Sequence, residues 1–176
     1  VEEELSAAVK FGTQSTQPSI QLMKDSVYSP HASHSEPSPI GTTRELHYAE
    51  ALNEALHQEM SKNEDVILMG EDVGETGGIF QVSKGLFETF GGDRVRDTPI
   101  SEATFVGCGI GAAISGLRPV VEIQIFDFVA LTMDMLVNQA AKFRYMLGGK
   151  PTVPIVIRGP QGGGIRLAAQ HSQSLE

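Results

Sequence analysis

A parallel α/β sheet with helices on both faces is the fold class that this sequence predicts, on three observations. Short continuous apolar runs, such as Val66-Ile67-Leu68-Met69 and Pro154-Ile155-Val156-Ile157, alternate along the chain with stretches of helical periodicity. That order calls for strands joined by helical crossovers. The Val66 run is apolar at every position, as a strand covered on both faces is. The unusual residues gather directly after the runs, at 70–72, 99–102, 124–128 and 158–171. Open parallel sheets bind ligands at those carboxyl ends.

Taken in order, residues 1–11 suit a short helix, with Leu5, Ala8 and Val9 on one side and Glu2, Glu3 and Glu4 complementing the dipole of its first turn. Residues 12–41 change to Ser, Thr, Gln, Pro and His, a composition that buries too little surface to order itself and reads as linker. His31 and His34 fall there with no Cys or carboxylate cluster nearby, and read as solvated linker histidines and not metal ligands. A helix capped by Thr42 or Thr43 runs to about residue 62, with Leu46, Ala49, Leu52, Ala55, Leu56 and Met60 on its apolar side. The strand 66–69 follows, then a loop at 70–78 dense in Gly, Glu and Asp. A helix over 80–90 closes at Gly91-Gly92. The strand 94–97 leads through Thr98-Pro99-Ile100-Ser101-Glu102 into the apolar, glycine-studded stretch 103–117, which is stable only if buried. A strand at 119–125, a long helix at 128–146 with Leu136, Ala140 and Phe143 in helical spacing, and a strand at 154–157 complete the pattern.

The bulk composition narrows the function classes. With 40% hydrophobic and 20% charged residues the 176-residue chain is that of a globular protein. A net charge of -9 argues against nucleic acid, which is held by clustered Lys and Arg. No run has the length of a membrane span, and no charged start followed by an apolar stretch reads as a signal peptide. Cys108 is the sole cysteine, so neither an intrachain disulfide nor a zinc cluster can form, and a cytoplasmic location is expected. Within its apolar run the thiol is expected to be inert. The chain starts at Val1 and stops at Glu176 after a polar run, and is expected to be a piece of a longer polypeptide.

The short motifs decide little singly. Gly107-Cys108-Gly109-Ile110-Gly111-Ala112 fits G-x-G-x-x-A, with Asp127 at about the interval of a ribose-binding acid. A dinucleotide fingerprint needs its glycines in the strand-to-helix turn, however, and here they fall inside the helix. There they suit close packing against another helix or a partner chain. Gly162-Gly163-Gly164 lacks the Lys-Ser/Thr of a P-loop and is expected to shape a pocket mouth. Glu71-Asp72 reads as solvated or capping carboxylates, since a hard cation recruits more oxygens. No serine stands in a G-x-S-x-G elbow. His171 is a loop histidine of undecided role, and Glu102, judged by position alone, is a helix-capping carboxylate.

Several long stretches in fixed order change that reading. GEDVGETGGIF (70–80), RVRDTPISEATFVGCGIGAAISGLRPVVEIQ (94–124), NQAAKFRYMLGGK (138–150), VPIVIRGPQGGG (153–164) and AAQHSQSLE (168–176) resemble the beta chain of the thiamine-diphosphate-dependent first component of 2-oxo acid dehydrogenase complexes. That family comprises the pyruvate, branched-chain 2-oxo acid and acetoin dehydrogenases. The resemblance implies the thiamine-diphosphate-binding fold, with residues 45–176 as a pyrimidine-binding domain incomplete at its C-terminus. VEEELSAAVKFGTQSTQPS (1–19) and DSVYSP (25–30) resemble the C-terminus of the alpha chain of the same enzymes. Residues 1–11 would then close an alpha-type portion of a fused polypeptide, with 12–44 a flexible linker.

By this resemblance Glu102 matches the glutamate that contacts the aminopyrimidine ring nitrogen and activates the cofactor. Phe128 matches the aromatic that stacks on the pyrimidine, and Ile100 and Gln124 match pocket-lining positions. His171 matches the active-site histidine that handles protons during reductive acylation of the lipoyl group. Ile155 matches a position whose backbone carbonyl helps ligate potassium. The motif that holds Mg²⁺ and the diphosphate belongs to the alpha chain and is absent here, so the piece alone is expected to be inactive. Expected partners are that diphosphate-binding portion, the lipoyl acyltransferase component and further subunits. TGG (76–78) leans towards branched-chain enzymes and MDMLVNQAAKFRYMLGG (133–149) towards pyruvate or acetoin enzymes. The readings weighed against this one are a non-catalytic nucleotide-binding module built on residues 107–112 and the pyrimidine domain of a transketolase-like synthase.

Overall fold

The computed structural model describes residues 1–28, 43–164 and 166–176; His31 and His34 lie outside the described residues. Its centre is β1 (Val66–Gly70), buried at all five positions. β2 (Val95–Asp97) pairs with one edge of β1 and β3 (Arg118–Glu122) with the other, and β4 (Val156–Arg158) pairs with the far side of β3, all parallel. The predicted α/β class therefore holds, with the strand order β2-β1-β3-β4. Because the chain leaves β1 towards one edge and returns to build the other, the sheet's switch point falls between β1 and β3.

Alternation along the strands divides the core. Val66 and Leu68 face Met60, Val73, Leu86 and Val95, beneath α3 (Tyr48–Lys62) and α4 (Leu86–Phe90). Met69, Val121 and Ile123 face Phe105, Val106, Ile110 and Val129, beneath α5 (Glu102–Ile114) and the helical segments after β3. Each such fully buried side chain contributes about 1.5–3 kcal/mol over leaving it in water. Arg94 fastens the first layer: its guanidinium donates to the carbonyls of Met60, Asn63 and Val66 at 2.9, 2.8 and 2.7 Å. It thereby occupies acceptors that the end of α3 leaves free.

Several expected boundaries move, each for a local reason. The helix expected from Thr42 or Thr43 begins at Tyr48, where the Glu50 carboxylate accepts the His47 N–H at 2.9 Å. Within the stretch read as linker, α2 (Ile20–Val27) forms because the Ser19 hydroxyl accepts the Leu22 N–H at 3.0 Å, and because Ser26 is buried close to Gly149. The helix read over 1–11 extends as α1 (Glu2–Gln14), which buries no residue. Of the helix expected over 80–90 only α4 is helical. The residues before it are wound into turns, with positive φ at Gln81 and Gly85 and with the Val82 and Lys84 carbonyls accepting from the Asn53 side chain.

The expected helix 128–146 is helical but not uniform. It runs as a 3-10 stretch (Phe126–Thr132), a π-helical stretch (Asp134–Ala140) and α6 (Ala141–Met146). The tight start keeps Val129 and Thr132 buried three residues apart. The wide turn lets Met135 and Ala140, five apart, both pack on the core. The last two strands are shorter than read: the third begins at Arg118 and ends at Glu122, and the fourth begins at Val156, after a local turn in which the Ile155 N–H bonds to the Val153 carbonyl at 2.8 Å.

α5 is buried along one side only. Cys108, expected in apolar surroundings, is exposed on the other, because Phe105, Val106, Gly109, Ile110 and Ala113 take the inward positions. Its glycines do different work. A Cβ at Gly109 would stand 2.6 Å from a Val121 methyl and 3.2 Å from Ile155 Cδ1, so the helix backbone lies directly on the sheet there. A Cβ at Gly107 would meet Met135 Sδ at 3.2 Å, whereas one at Gly111 would meet nothing within 4 Å. The close packing expected of these glycines is thus made at Gly109 against the chain's own sheet and at Gly107 against Met135 of the π-helical stretch.

Two substitutions two residues apart should therefore have opposite signs. Gly109→Ala is expected to lower stability by about 1–3 kcal/mol through overpacking. Gly111→Ala should raise it by about 0.5–1 kcal/mol through helix propensity. Urea denaturation monitored by circular dichroism checks both, and equal midpoints for the two variants would contradict the packing.

Candidate functional site

The four strands end in register. Gly70 pairs with Asp97 on one side and with Glu122 on the other, and Glu122 pairs with Arg158. Their carboxyl ends thus form one row from which every loop of interest departs. Gly70 has to be glycine, since a Cβ there would lie 2.5 Å from the Glu122 carbonyl oxygen. At the end of the row Arg158 and Glu122 form a buried ion pair. Burial pushes the Glu122 carboxyl above its ordinary pKa, and the charge and hydrogen bond of Arg158 pull it partly back.

Just past β1 the chain turns sharply at Asp72 (φ 56°), whose carboxylate accepts the Gln124 side-chain amide at 3.1 Å across the switch point. The loop then crosses to β2, where the Gly74 N–H donates to Asp97 Oδ1 at 2.7 Å. Between these straps sits Glu71, only 7% exposed, with Oε1 buried and, among the described residues, without a hydrogen-bond partner. This corrects the expectation of a solvated carboxylate. Burial first, then the charges of Glu102 and Asp72, push its pKa above the usual carboxylate range.

Glu102 opens α5 and is 8% exposed. It does not cap the helix: the cap residue is Ser101, which makes no side-chain cap bond and pairs instead with the Thr104 hydroxyl at 2.7 Å. Among the described residues no hydrogen bond is made to the Glu102 carboxylate. Ile100, beside it, leaves 82% of its surface exposed. Glu102 thus offers a nearly buried carboxyl without a hydrogen-bond partner among the described residues, Ile100 an exposed aliphatic side chain, and Gln124 an amide tethered to Asp72.

Phe128 and His171 are brought together from the segments that follow β3 and β4. Their ring centroids are 5.3 Å apart at 83°, an edge-to-face pair, and His171 Nδ1 is buried without a partner among the described residues. His171 also lines a small cavity of about 90 Å³ with Phe80, Ile125, Pro160 and Gln161. That cavity shares Phe80, Pro160 and Gln161 with a cleft of about 390 Å³ reaching Tyr48 and Glu176. No hydrogen bond or ring contact among the described residues joins the Phe128–His171 pair to the Glu71–Glu102 pair. Ile155 stands apart from both, its side chain packed towards α5 at Gly109. Among the described residues no three His, Cys, Asp or Glu side chains gather as a metal site.

Sequence reasoning missed three participants. Glu71 carried one signal, its place directly after a fully buried strand. The Glu122–Arg158 pair carried none, because the partners are 36 residues apart. Asp127, a candidate ribose ligand by its spacing, is engaged elsewhere: its Oδ1 accepts the Gln173 N–H at 3.0 Å and the Gln173 side-chain amide at 2.9 Å. Burial works against the Asp127 charge, but these two bonds, with the nearby backbone N–H groups of Asp127 and Ser172, hold its pKa below the ordinary range. With Asp127 so engaged and the glycines of 107–112 inside α5, the nucleotide-binding alternative loses both of its elements.

Comparison with known proteins places the chain in a family. The family described as "Transketolase, pyrimidine binding domain" matches residues 44–176. Over 130 residues, 74% of the chain, the sequence is 53% identical to the pyruvate dehydrogenase E1 component subunit beta-1, mitochondrial, of Oryza sativa subsp. japonica, covering 35% of that relative. Over 142 residues, 75% of the chain, it is 49% identical to the acetoin:2,6-dichlorophenolindophenol oxidoreductase subunit beta of Cupriavidus necator, covering 42% of it. Against the pyruvate dehydrogenase E1 component subunit beta of Rhizobium meliloti the values are 52% over 124 residues, 70% of the chain and 27% of the relative. The chain thus spans well under half the length of the curated relatives it matches.

Glu71 yields a pH test. A carboxyl with a raised folded-state pKa contributes stability that is full below the ordinary carboxylate range and is lost as pH rises through the folded value. Glu71→Gln removes that loss, so the variant should gain stability over wild type as the pH rises from about 4 to about 8, the two converging in acid. Denaturation midpoints across that range check it, and a gap that widens in acid would contradict the burial of a strained carboxyl.

Proposed function

Because the chain belongs to the family of transketolase pyrimidine-binding domains, we propose that it supplies the aminopyrimidine half of a thiamine-diphosphate site in a dehydrogenase acting on a 2-oxo acid or acetoin. The observation that carries this is Glu102: a nearly buried carboxyl, without a hydrogen-bond partner among the described residues, at the carboxyl edge of the sheet and beside a second buried carboxyl, Glu71. Bound there, thiamine diphosphate supplies the electron sink for decarboxylation.

The chain's own residues do the rest. Glu102 presents its carboxyl to the ring nitrogen of the aminopyrimidine, and among the described residues no protein group competes for it. Glu71, driven towards its neutral form, reduces the repulsion that a second buried charge would impose. Phe128 offers a ring face for stacking while its contact with His171 fixes the ring's tilt. Ile100 gives apolar contact, and Gln124 is kept in place by Asp72. His171 moves a proton at its imidazole as the acyl group passes to the lipoyl group of an acyltransferase component. Residues 1–11 are the C-terminal helix of an alpha-type region joined to the sheet by 12–44, and the diphosphate-binding portion lies in the same polypeptide or in another subunit. That portion would hold the diphosphate through Mg²⁺, and the Ile155 backbone carbonyl would be one ligand of a potassium ion. On this reading the chain is inactive without the alpha-type portion.

In the complete enzyme, Glu102→Gln should lower turnover by about 10²- to 10⁴-fold, the usual worth of a positioned acid–base group, while cofactor binding persists. Wild-type-like steady-state rates would remove Glu102 from this role. His171→Ala should impair lipoyl acylation more than 2-oxo-acid-dependent reduction of an artificial dye, and equal losses in the two assays would count against the role given to His171.

A further inference from the structure

Asp127 and Gln173 join the two segments that the Phe128–His171 contact needs. Asp127 lies directly before Phe128 in the 3-10 stretch after β3, and Gln173 lies two residues after His171. The Asp127 side chain, 5% exposed, uses one oxygen to accept both the Gln173 N–H at 3.0 Å and the Gln173 side-chain amide at 2.9 Å. The Gln173 carbonyl in turn accepts the Gly162 N–H at 2.8 Å, which ties the same residue to the glycine loop after β4. Just downstream of that knot the strap continues: the Gln161 side chain accepts the Leu175 N–H at 3.3 Å and donates to Glu176 at 2.8 Å.

The segment that carries His171 has little else to hold it. Ala168 sits at φ 63°, in the left-handed region that disfavours a side chain. The three-residue turn Ala169–His171 buries no residue. Its own backbone bond, from the His171 N–H to the Ala168 carbonyl, is long at 3.4 Å. A turn so weakly self-supporting keeps one geometry only if something outside it does the fixing.

We propose that the Asp127–Gln173 clamp is a positioning device for His171, setting the height and tilt of its imidazole against Phe128. Asp127 touches neither substrate nor cofactor; it acts through Gln173. The inference rests on the role given to His171 above. One side-chain oxygen accepting two donors from the same residue is a directional anchor, fixing the position and the orientation of Gln173 together. Misplacing a reacting group by about 1 Å costs on the order of 10²-fold. The same reasoning distinguishes two substitutions. Asp127→Asn keeps a carbonyl oxygen able to accept both Gln173 donors and is the conservative rescue. Asp127→Ala keeps no acceptor and is the deletion.

The test uses the complete enzyme and compares Asp127→Ala, Asp127→Asn, Gln173→Ala and the double alanine variant with His171→Ala. By hydrogen exchange with mass spectrometry, amides of residues 169–174 should exchange at least about 10-fold faster in Asp127→Ala and near the wild-type rate in Asp127→Asn. Lipoyl acylation should fall at least about 10-fold further than artificial-dye reduction in Asp127→Ala, and stay within about 3-fold of wild type in Asp127→Asn. The double variant should be no worse than Asp127→Ala, because the pair acts as a unit. Unchanged exchange in Asp127→Ala, faster exchange without the acylation defect, or additive losses in the double variant would overturn the clamp as a positioning device. If His171→Ala itself impairs acylation no more than dye reduction, the underlying role of His171 fails, which is a separate and recognisable result.

Discussion

The carboxyl ends of β3 and β4 are joined by the ion pair of Glu122 and Arg158, whose side chains are 2% and 16% exposed. Taking two charges out of water is costly, and the pair survives there only because each partner satisfies the other. Removing one partner of such a pair typically destabilises by about 3–5 kcal/mol, since the other is left buried and alone. The row of strand ends depends on it. The Gly70 backbone lies directly against the Glu122 carbonyl, and Ile123, one residue on, donates its N–H to the Arg158 carbonyl at 2.8 Å. The loop carrying Gln124 and Phe128 and the loop carrying His171 leave from the two ends of this pair, so their spacing is set before any side chain of the site is placed.

From that edge the site is built in two halves. One half is electrostatic: Glu71 and Glu102, two buried carboxyls from the end of β1 and the start of α5, with Asp72 and Gln124 closing the switch point beside them. The other half is aromatic: Phe128, in the 3-10 stretch after β3, and His171, in a three-residue turn, with the Asp127–Gln173 hydrogen bonds beside them. Buried carboxyls without partners are unfavourable for the chain by itself. On the function proposed above, a bound heterocycle, and not the fold, would satisfy them.

Much of this is legible in the residues. Pro99 before an apolar run marks where α5 begins, and so places Glu102 at its mouth. The continuous run Val66–Gly70 announces a strand covered on both faces. Relations across the sheet are what the residues conceal. Asp127 and Gln173 are 46 residues apart and Glu122 and Arg158 are 36 apart, and no periodicity links them. Cys108 and the inward glycine at 109 are neighbours on α5 with opposite exposure, which only the helix's phase on the sheet decides. The broken winding of residues 126–146 is hidden for a similar reason, because the same apolar residues suit an α-helix until the positions they must fill on α5 are known.

The central claim is that the Glu102 carboxyl engages a ring nitrogen of an aminopyrimidine. It is tested most directly by following deuterium exchange at the thiazolium carbon of thiamine diphosphate bound to the complete enzyme, beside an analogue whose pyrimidine ring nitrogen opposite Glu102 is replaced by CH. The account predicts that both compounds bind with Mg²⁺ and that only the natural cofactor exchanges faster than it does free in solution. Equal acceleration for the analogue would contradict it.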